Sequence, residues 1–152
     1  MTKEQFTDQV LDSEQILYKI AMSMLRNEAD AEDAMQTAVL KAYEKLATLK
    51  HEEYFRTWLI RILINVCRSQ LRQQKLSSDF KEEPAASPQE AVEVRAAVES
   101  LPLKIRQVVI LYYSQQFTTK EIAEILRIPK GTVLSRLDKG RKLLKIELDS
   151  DN

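Results

Sequence analysis

Thr118-Thr119-Lys120-Glu121-Ile122-Ala123-Glu124-Ile125-Leu126-Arg127-Ile128-Pro129-Lys130-Gly131-Thr132-Val133-Leu134-Ser135-Arg136-Leu137-Asp138-Lys139 holds a helix start, a break and a second helix within 22 residues. Thr118 followed by Glu121 fits a capping box, which opens a helix carrying Ile122, Ala123, Ile125 and Leu126. Ile128-Pro129 breaks it, and Gly131-Thr132-Val133 leads into a basic helix that runs to about Glu147. Two helices, Thr119 to Arg127 and Gly131 to Lys145, joined by a tight turn and with the second one basic, describe a helix-turn-helix. Val133 and Leu137 are expected to face the first helix, leaving Lys130, Gly131, Thr132, Ser135, Arg136 and Lys139 for duplex DNA. The amides near Gly131 and Thr132 suit a phosphate, Arg136 and Lys139 reach phosphates or guanine edges, and Ser135 is a weaker base reader. A solvated cationic helix on a small bundle is the plainer alternative.

Upstream of this pair, Val92 to Ser100 reads as helical, Leu101-Pro102 permits a new start, and Val108, Val109, Leu111 and Tyr112 give an apolar run. From Ser77 to Gln89 the periodicity disappears and two of the four prolines occur, which reads as a linker. Thirteen extended residues reach about 45 Å, so the flanking parts could occupy separate grooves. The expected organisation is all-α: a helical domain over 1–76, a flexible linker over 77–91, and a helix-turn-helix domain over 92–152.

In the first domain, Ile16, Leu17, Ile20, Ala21, Met24 and Leu25 recur at helical spacing up to about Asn27. A second helix follows, with Asp30 as expected N-cap and an inward stripe of Ala34, Ala38, Ala42 and Leu46. Asp30, Glu32, Asp33 and Gln36 cluster at its start. They form either a solvated, dipole-matched first turn or a contact with a protein, since an acidic edge repels DNA. Phe55, Leu59, Ile62 and Val66 mark a third helix, which runs to about Gln74. On that helix Tyr54, Trp58, Arg61, Asn65, Arg68 and Arg72 are spaced by four, three, four, three and four residues, so aromatics and cations share one stripe. Exposed bases stack on aromatic rings while phosphates meet cations, which suits single-stranded nucleic acid. Trp58 taken alone reads as a core residue.

The 23 basic and 23 acidic residues cancel overall but are unevenly placed. Tyr54 to Lys75 carries five basic residues and no acid, and Arg127 to Lys145 carries seven basic residues against Asp138 alone. Residues 1–50 hold six basic and nine acidic groups, and 81–100 two and five. Two cationic patches separated by acidic sequence point to two polyanion contacts. The composition excludes much else. Only two glycines and four prolines interrupt a helix-favouring mix, the single Cys67 cannot form an internal disulfide, and His51 has no second histidine for a metal site. With no glycine-rich phosphate loop and no nucleophile beside a base, the reading is of a non-enzyme with no catalytic residue, metal or cofactor. No signal peptide is read and Trp58 to Val66 is too short to span a bilayer, so a cytoplasmic protein without membrane insertion is expected.

These motifs together resemble the extracytoplasmic-function group of bacterial RNA polymerase sigma factors. Asp30-Ala31-Glu32-Asp33-Ala34-Met35-Gln36 is similar to that family's polymerase-binding motif. Phe55-Arg56-Thr57-Trp58-Leu59-Ile60-Arg61-Ile62 with Asn65 is similar to its promoter-melting helix. Glu121-Ile122-Ala123, Ile128-Pro129-Lys130-Gly131-Thr132-Val133 and Ser135-Arg136-Leu137 are similar to its upstream-promoter reader. The resemblance implies a sigma factor that brings core RNA polymerase to promoter DNA and assists strand opening, with an anti-sigma factor as a further partner. It implies that Asp33 and Gln36 bind polymerase and that Trp58, Arg61 and Asn65 work at the melted strand. The segment from Lys50 and His51 to Glu53 is similar to the loop that holds a flipped base. Leu134, Asp138, Ser69 and Gly140 depart from the family pattern, and Gly140 should cost about 1 kcal/mol in a helix interior. The competing reading is an ordinary regulator that binds duplex DNA unaided and uses its first half to dimerise or sense a signal.

Overall fold

The computed structural model of the chain describes residues 1–77 and 93–150, with side chains described for 1–76 and 96–145. The expected linker, apart from Ser77 at the end of a helix, lies outside the described residues. The chain divides into two compact units, Met1–Glu82 and Glu83–Asn152, and the described residues of both are helical without strands.

The first unit is built from α1 (Lys3–Asp12), α2 (Glu14–Leu25), α3 (Glu28–Glu44) and α4 (Phe55–Ser77), with 3₁₀ turns at Leu46–Thr48 and Glu52–Tyr54. Ahead of the expected apolar helix lies α1, divided from it at Ser13, and α1 buries only Phe6. That ring meets Tyr43 and Phe55 edge-on, with centroids 5.3 and 5.6 Å apart. The periodic residues Ile16, Leu17, Ile20, Ala21, Met24 and Leu25 are all buried in α2. Helix α3 begins a turn earlier than its sequence suggested. Its N-cap is Asn27, whose side chain accepts from the Asp30 amide at 2.9 Å, so Asp30 sits in the first turn and not at the cap. Its inward stripe is Ala31, Ala34, Ala38 and Ala42, while Leu46 falls in the following 3₁₀ turn and is half-buried. Small residues let α3 lie close against α4, which buries Phe55, Leu59, Ile60, Leu63, Ile64, Val66 and Cys67. Each large apolar side chain sealed this way contributes about 1.5–3 kcal/mol. Ile62, expected in that core, is only half-buried, because Leu63 and Ile64 occupy the inward positions.

The second unit comprises α5 (Glu93–Glu99), α6 (Leu103–Val109), α7 (Thr119–Leu126) and α8 (Lys130–Ser150). Pro102 caps α6 at its N-terminus, and the helix widens into a π turn over Ile110–Ser114. The extra residue in that turn shifts the register, burying Leu111 and leaving Tyr112 and Tyr113 exposed, so Tyr112 does not continue the apolar run. Arg106 is buried, and its Nη1 donates to the carbonyls of Glu99 and Leu101 at 3.1 and 3.0 Å, tying the end of α5 to the turn before α6. A buried guanidinium is tolerated because those orphaned carbonyls meet it.

Gly140 explains its own departure from pattern. A β-carbon there would lie 2.8 Å from Val109 Cγ2 and 3.1 Å from Ile105 Cγ2, so α8 crosses α6 too closely for alanine. The propensity loss expected for a mid-helix glycine is thus tied to a close seam between two helices.

Candidate nucleic-acid and polymerase interfaces

The α7–α8 pair has the geometry its sequence predicts. Thr118 Oγ1 accepts from the Glu121 amide at 3.1 Å and Glu121 Oε1 accepts from the Thr118 amide at 2.9 Å, closing the capping box. Arg127 ends α7 in a left-handed conformation, φ 57°, with its N–H donating to the Ala123 carbonyl, and α8 begins three residues later. Ile122, Ile125 and Leu126 of α7 and Val133 and Leu137 of α8 are buried.

With 3.6 residues per turn, the exposed residues Gly131, Ser135, Asp138 and Lys142 occupy the side of α8 opposite that buried seam, and exposed Leu134 lies at the edge of that side. Lys130 and Arg141 flank this face on one side, and Arg136 and Lys139 on the other. Among the residues predicted to meet duplex DNA, Lys130, Gly131, Ser135 and Lys139 are exposed, while Thr132 and Arg136 are half-buried. Arg141 is oriented by Tyr113, to whose hydroxyl its Nη1 donates at 2.8 Å; that hydrogen bond pushes its pKa further up, so its charge is fixed. Asp138 faces Lys142, one turn on, at 3.1 Å. Leu134, 48 % exposed, and Asp138 are also exposed although neither is among the residues predicted to meet duplex DNA. Nothing comes within 4 Å of a β-carbon placed on Gly131, so the fold leaves open space there.

The cation–aromatic stripe lies opposite the core of α4, with Tyr54, expected on that helix, in the 3₁₀ turn that leads into it. Tyr54, Asn65 and Arg72 are exposed, and Trp58, Arg61 and Arg68 are half-buried, so the stripe is open to the surface. The Trp58 ring packs 5.8 Å from Phe55 and remains half-buried. Lys50 and His51 are exposed just ahead of the stripe. The His51 ring stands edge-on to Tyr54 at 5.9 Å, with its Nδ1 3.6 Å from a Glu53 carboxylate oxygen.

Around the start of α3, Glu32, Asp33 and Gln36 are exposed and Asp30 is half-buried. Two of these carboxylates are held from α4: Gln74 Nε2 donates to Asp30 Oδ2 at 3.0 Å, and Gln70 Nε2 to Asp33 Oδ2 at 3.4 Å. Gln36 also borders an apolar groove formed by α1, α2 and α3, whose walls include Phe6, Leu17, Met35, Val39, Leu40 and Tyr43. Leu40 is 60 % exposed and Tyr43 47 %. The continuation of the acidic motif is therefore an apolar surface, legible as Val39-Leu40 and Tyr43 lying off the alanine stripe. Among the described residues no cluster of histidine, cysteine and carboxylates could hold a metal, and no helix is long and apolar enough to cross a membrane.

Comparison with known proteins aligns with both units. The Sigma-70 region 2 model matches residues 10–76, and the Sigma-70, region 4 model matches residues 91–144. The ECF RNA polymerase sigma factor SigW of Bacillus subtilis (strain 168) is 30% identical, over 87% of this chain and 82% of its own. RNA polymerase sigma factor SigV of the same organism is 27% identical, over 100% of this chain and 99% of its own. Among solved structures, CnrH in complex with the cytosolic domain of CnrY superposes with a TM-score of 0.80 at 25% identity, covering 99% of this chain and 92% of that one. The sigma factor RpoE of Bartonella quintana, in complex with the anti-sigma factor NepR, shares the fold with a TM-score of 0.80 at 24% identity, over 98% and 99% of the two chains.

Proposed function

The chain belongs to the ECF family of RNA polymerase sigma factors, and from that premise we propose how its two units divide the work. The protein directs core RNA polymerase to promoters. The first unit meets polymerase through Asp30, Glu32, Asp33 and Gln36, with the adjoining apolar groove of Met35, Val39, Leu40 and Tyr43 supplying buried area. It takes the melted strand along Tyr54, Trp58, Arg61, Asn65, Arg68 and Arg72, with Lys50 and His51 beside the flipped base. The second unit reads upstream duplex through Lys130, Gly131, Thr132, Ser135, Arg136 and Lys139. The protein catalyses nothing itself, works in the cytoplasm, and is held in reserve by an anti-sigma factor.

The observation that carries this division is the α4 stripe: rings and cations stand on the face opposite the core, where bases can stack and phosphates can be neutralised. A duplex reader has no need of such a face. Thr132 and Arg136, half-buried, contribute from the flank of α8 rather than from its outermost line.

Run-off transcription tests the reading. Core polymerase with the added chain should yield a promoter-dependent transcript that core alone does not, while the isolated chain binds promoter duplex poorly. Tight sequence-specific binding by the isolated chain, with no transcript from any candidate promoter, would establish the regulator reading instead.

A further inference from the structure

We propose that Leu134 is a specificity-determining residue that reads the C5 methyl group of a thymine in the upstream duplex; this rests on α8 being the duplex-reading helix. Over its first turns the outward face of α8 is Gly131, Ser135 and Asp138 with Leu134 at its edge, all exposed, and the next residue on that face is Lys142, which pairs with Asp138. Lys130 and Arg141 border it on one side, Arg136 and Lys139 on the other. A major groove has the same order, with phosphates along its two edges and base edges along its floor. Cations on the flanks therefore meet phosphate, and the neutral centre of the first turns, ahead of Lys142, meets bases.

Within that centre the chemistry of each position is restricted. Gly131 offers no side chain and leaves open space, so the duplex can approach the start of the helix closely. Asp138 is matched by Lys142 at 3.1 Å, which limits its repulsion of DNA. Leu134, 48 % exposed, can neither hydrogen-bond a base edge nor pair with phosphate. The one apolar group on the major-groove floor is the thymine methyl, and covering it removes two apolar surfaces from water together.

The test uses holoenzyme reconstituted from the full chain and core polymerase, on promoters mapped from its own transcripts. Each thymine of the upstream element is replaced in turn by deoxyuridine, which deletes only the methyl. At one position the replacement should weaken promoter binding about fourfold with the wild-type chain. The same replacement should have no effect with Leu134→Ala, whose binding to the thymine template falls to the wild-type level on uracil. Alanine at an exposed helical position favours the helix, so folding is retained. The proposal is overturned if no position is methyl-sensitive, if the sensitivity survives in Leu134→Ala, or if Leu134→Ala loses binding equally on every template, as a contact with polymerase would dictate. Lys139→Ala separates this from the underlying reading: it should weaken binding uniformly across templates, and if it and Lys130→Ala both leave binding unchanged, α8 does not face DNA and both readings fall.

Discussion

Cys67 lies fully buried on α4, and desolvation of its thiolate pushes the thiol up to about 12 from 9.0. Because the folded chain holds this proton longer than the unfolded chain, the associated stability is complete below pH 9. It is lost between pH 9 and pH 12, by up to about 1.4 kcal/mol for each pH unit. Denaturant titrations of wild type and Cys67→Ala at pH 8 and pH 10.5 should show the difference between the two narrowing at the higher pH; a constant difference would mean that the thiol titrates normally in the fold. The reading of Cys67 as a core residue needed only an apolar helical context, which sequence displays. Gly140 was not legible in the same way. Its local cost is visible in a helix pattern, but the Val109 and Ile105 methyls that require it are about thirty residues away in the chain. Leu134 stood out in sequence only as a departure, because an exposed apolar residue acquires meaning from its neighbours on the helix surface.

Helix α4 carries a core on one face and the candidate strand-binding stripe on the other, and Tyr54 is the ring on that stripe least committed to packing, 57 % exposed. Tyr54→Ala should slow open-complex formation about tenfold, within the range for loss of one base–aromatic stack, while Tyr54→Phe keeps most of the rate. Permanganate footprinting of unpaired thymines over time would follow this, and equal rates for all three proteins would remove Tyr54 from the stripe. The spacing of four and three residues made this face readable from sequence. Helix starts were less readable: Asn27 and Asp30 are both good capping residues three positions apart, and only the accepted Asp30 amide distinguishes them. The π turn at Ile110–Ser114 has no periodic signature, so the exposure of Tyr112 could not be anticipated.

At the scale of the molecule, each unit has its own core and should unfold as its own cooperative transition. Gly140→Ala should destabilise the second unit by about 1–3 kcal/mol through overpacking, only partly offset by the better helix propensity of alanine. Scanning calorimetry should therefore resolve two transitions, of which the substitution lowers one and leaves the other in place; a common shift of both would mean that the units unfold together. The two-part helical plan was legible because a polar, proline-bearing stretch separates two periodic ones. Of the groove beside Gln36 only the α3 wall, Val39, Leu40 and Tyr43, has a signal in sequence, since the groove is assembled from three helices and needs their packing to exist. The alanine seam of α3 has a wider consequence. Ala31, Ala34, Ala38 and Ala42 bring the backbone of the acid-bearing helix close to the one carrying the rings and arginines, with only methyl groups on its own side to absorb a shift. An engineer wishing to redirect this protein to another enzyme or another DNA sequence would do best to exchange outward residues and leave that seam untouched, since one added methyl group within it would displace both working surfaces together.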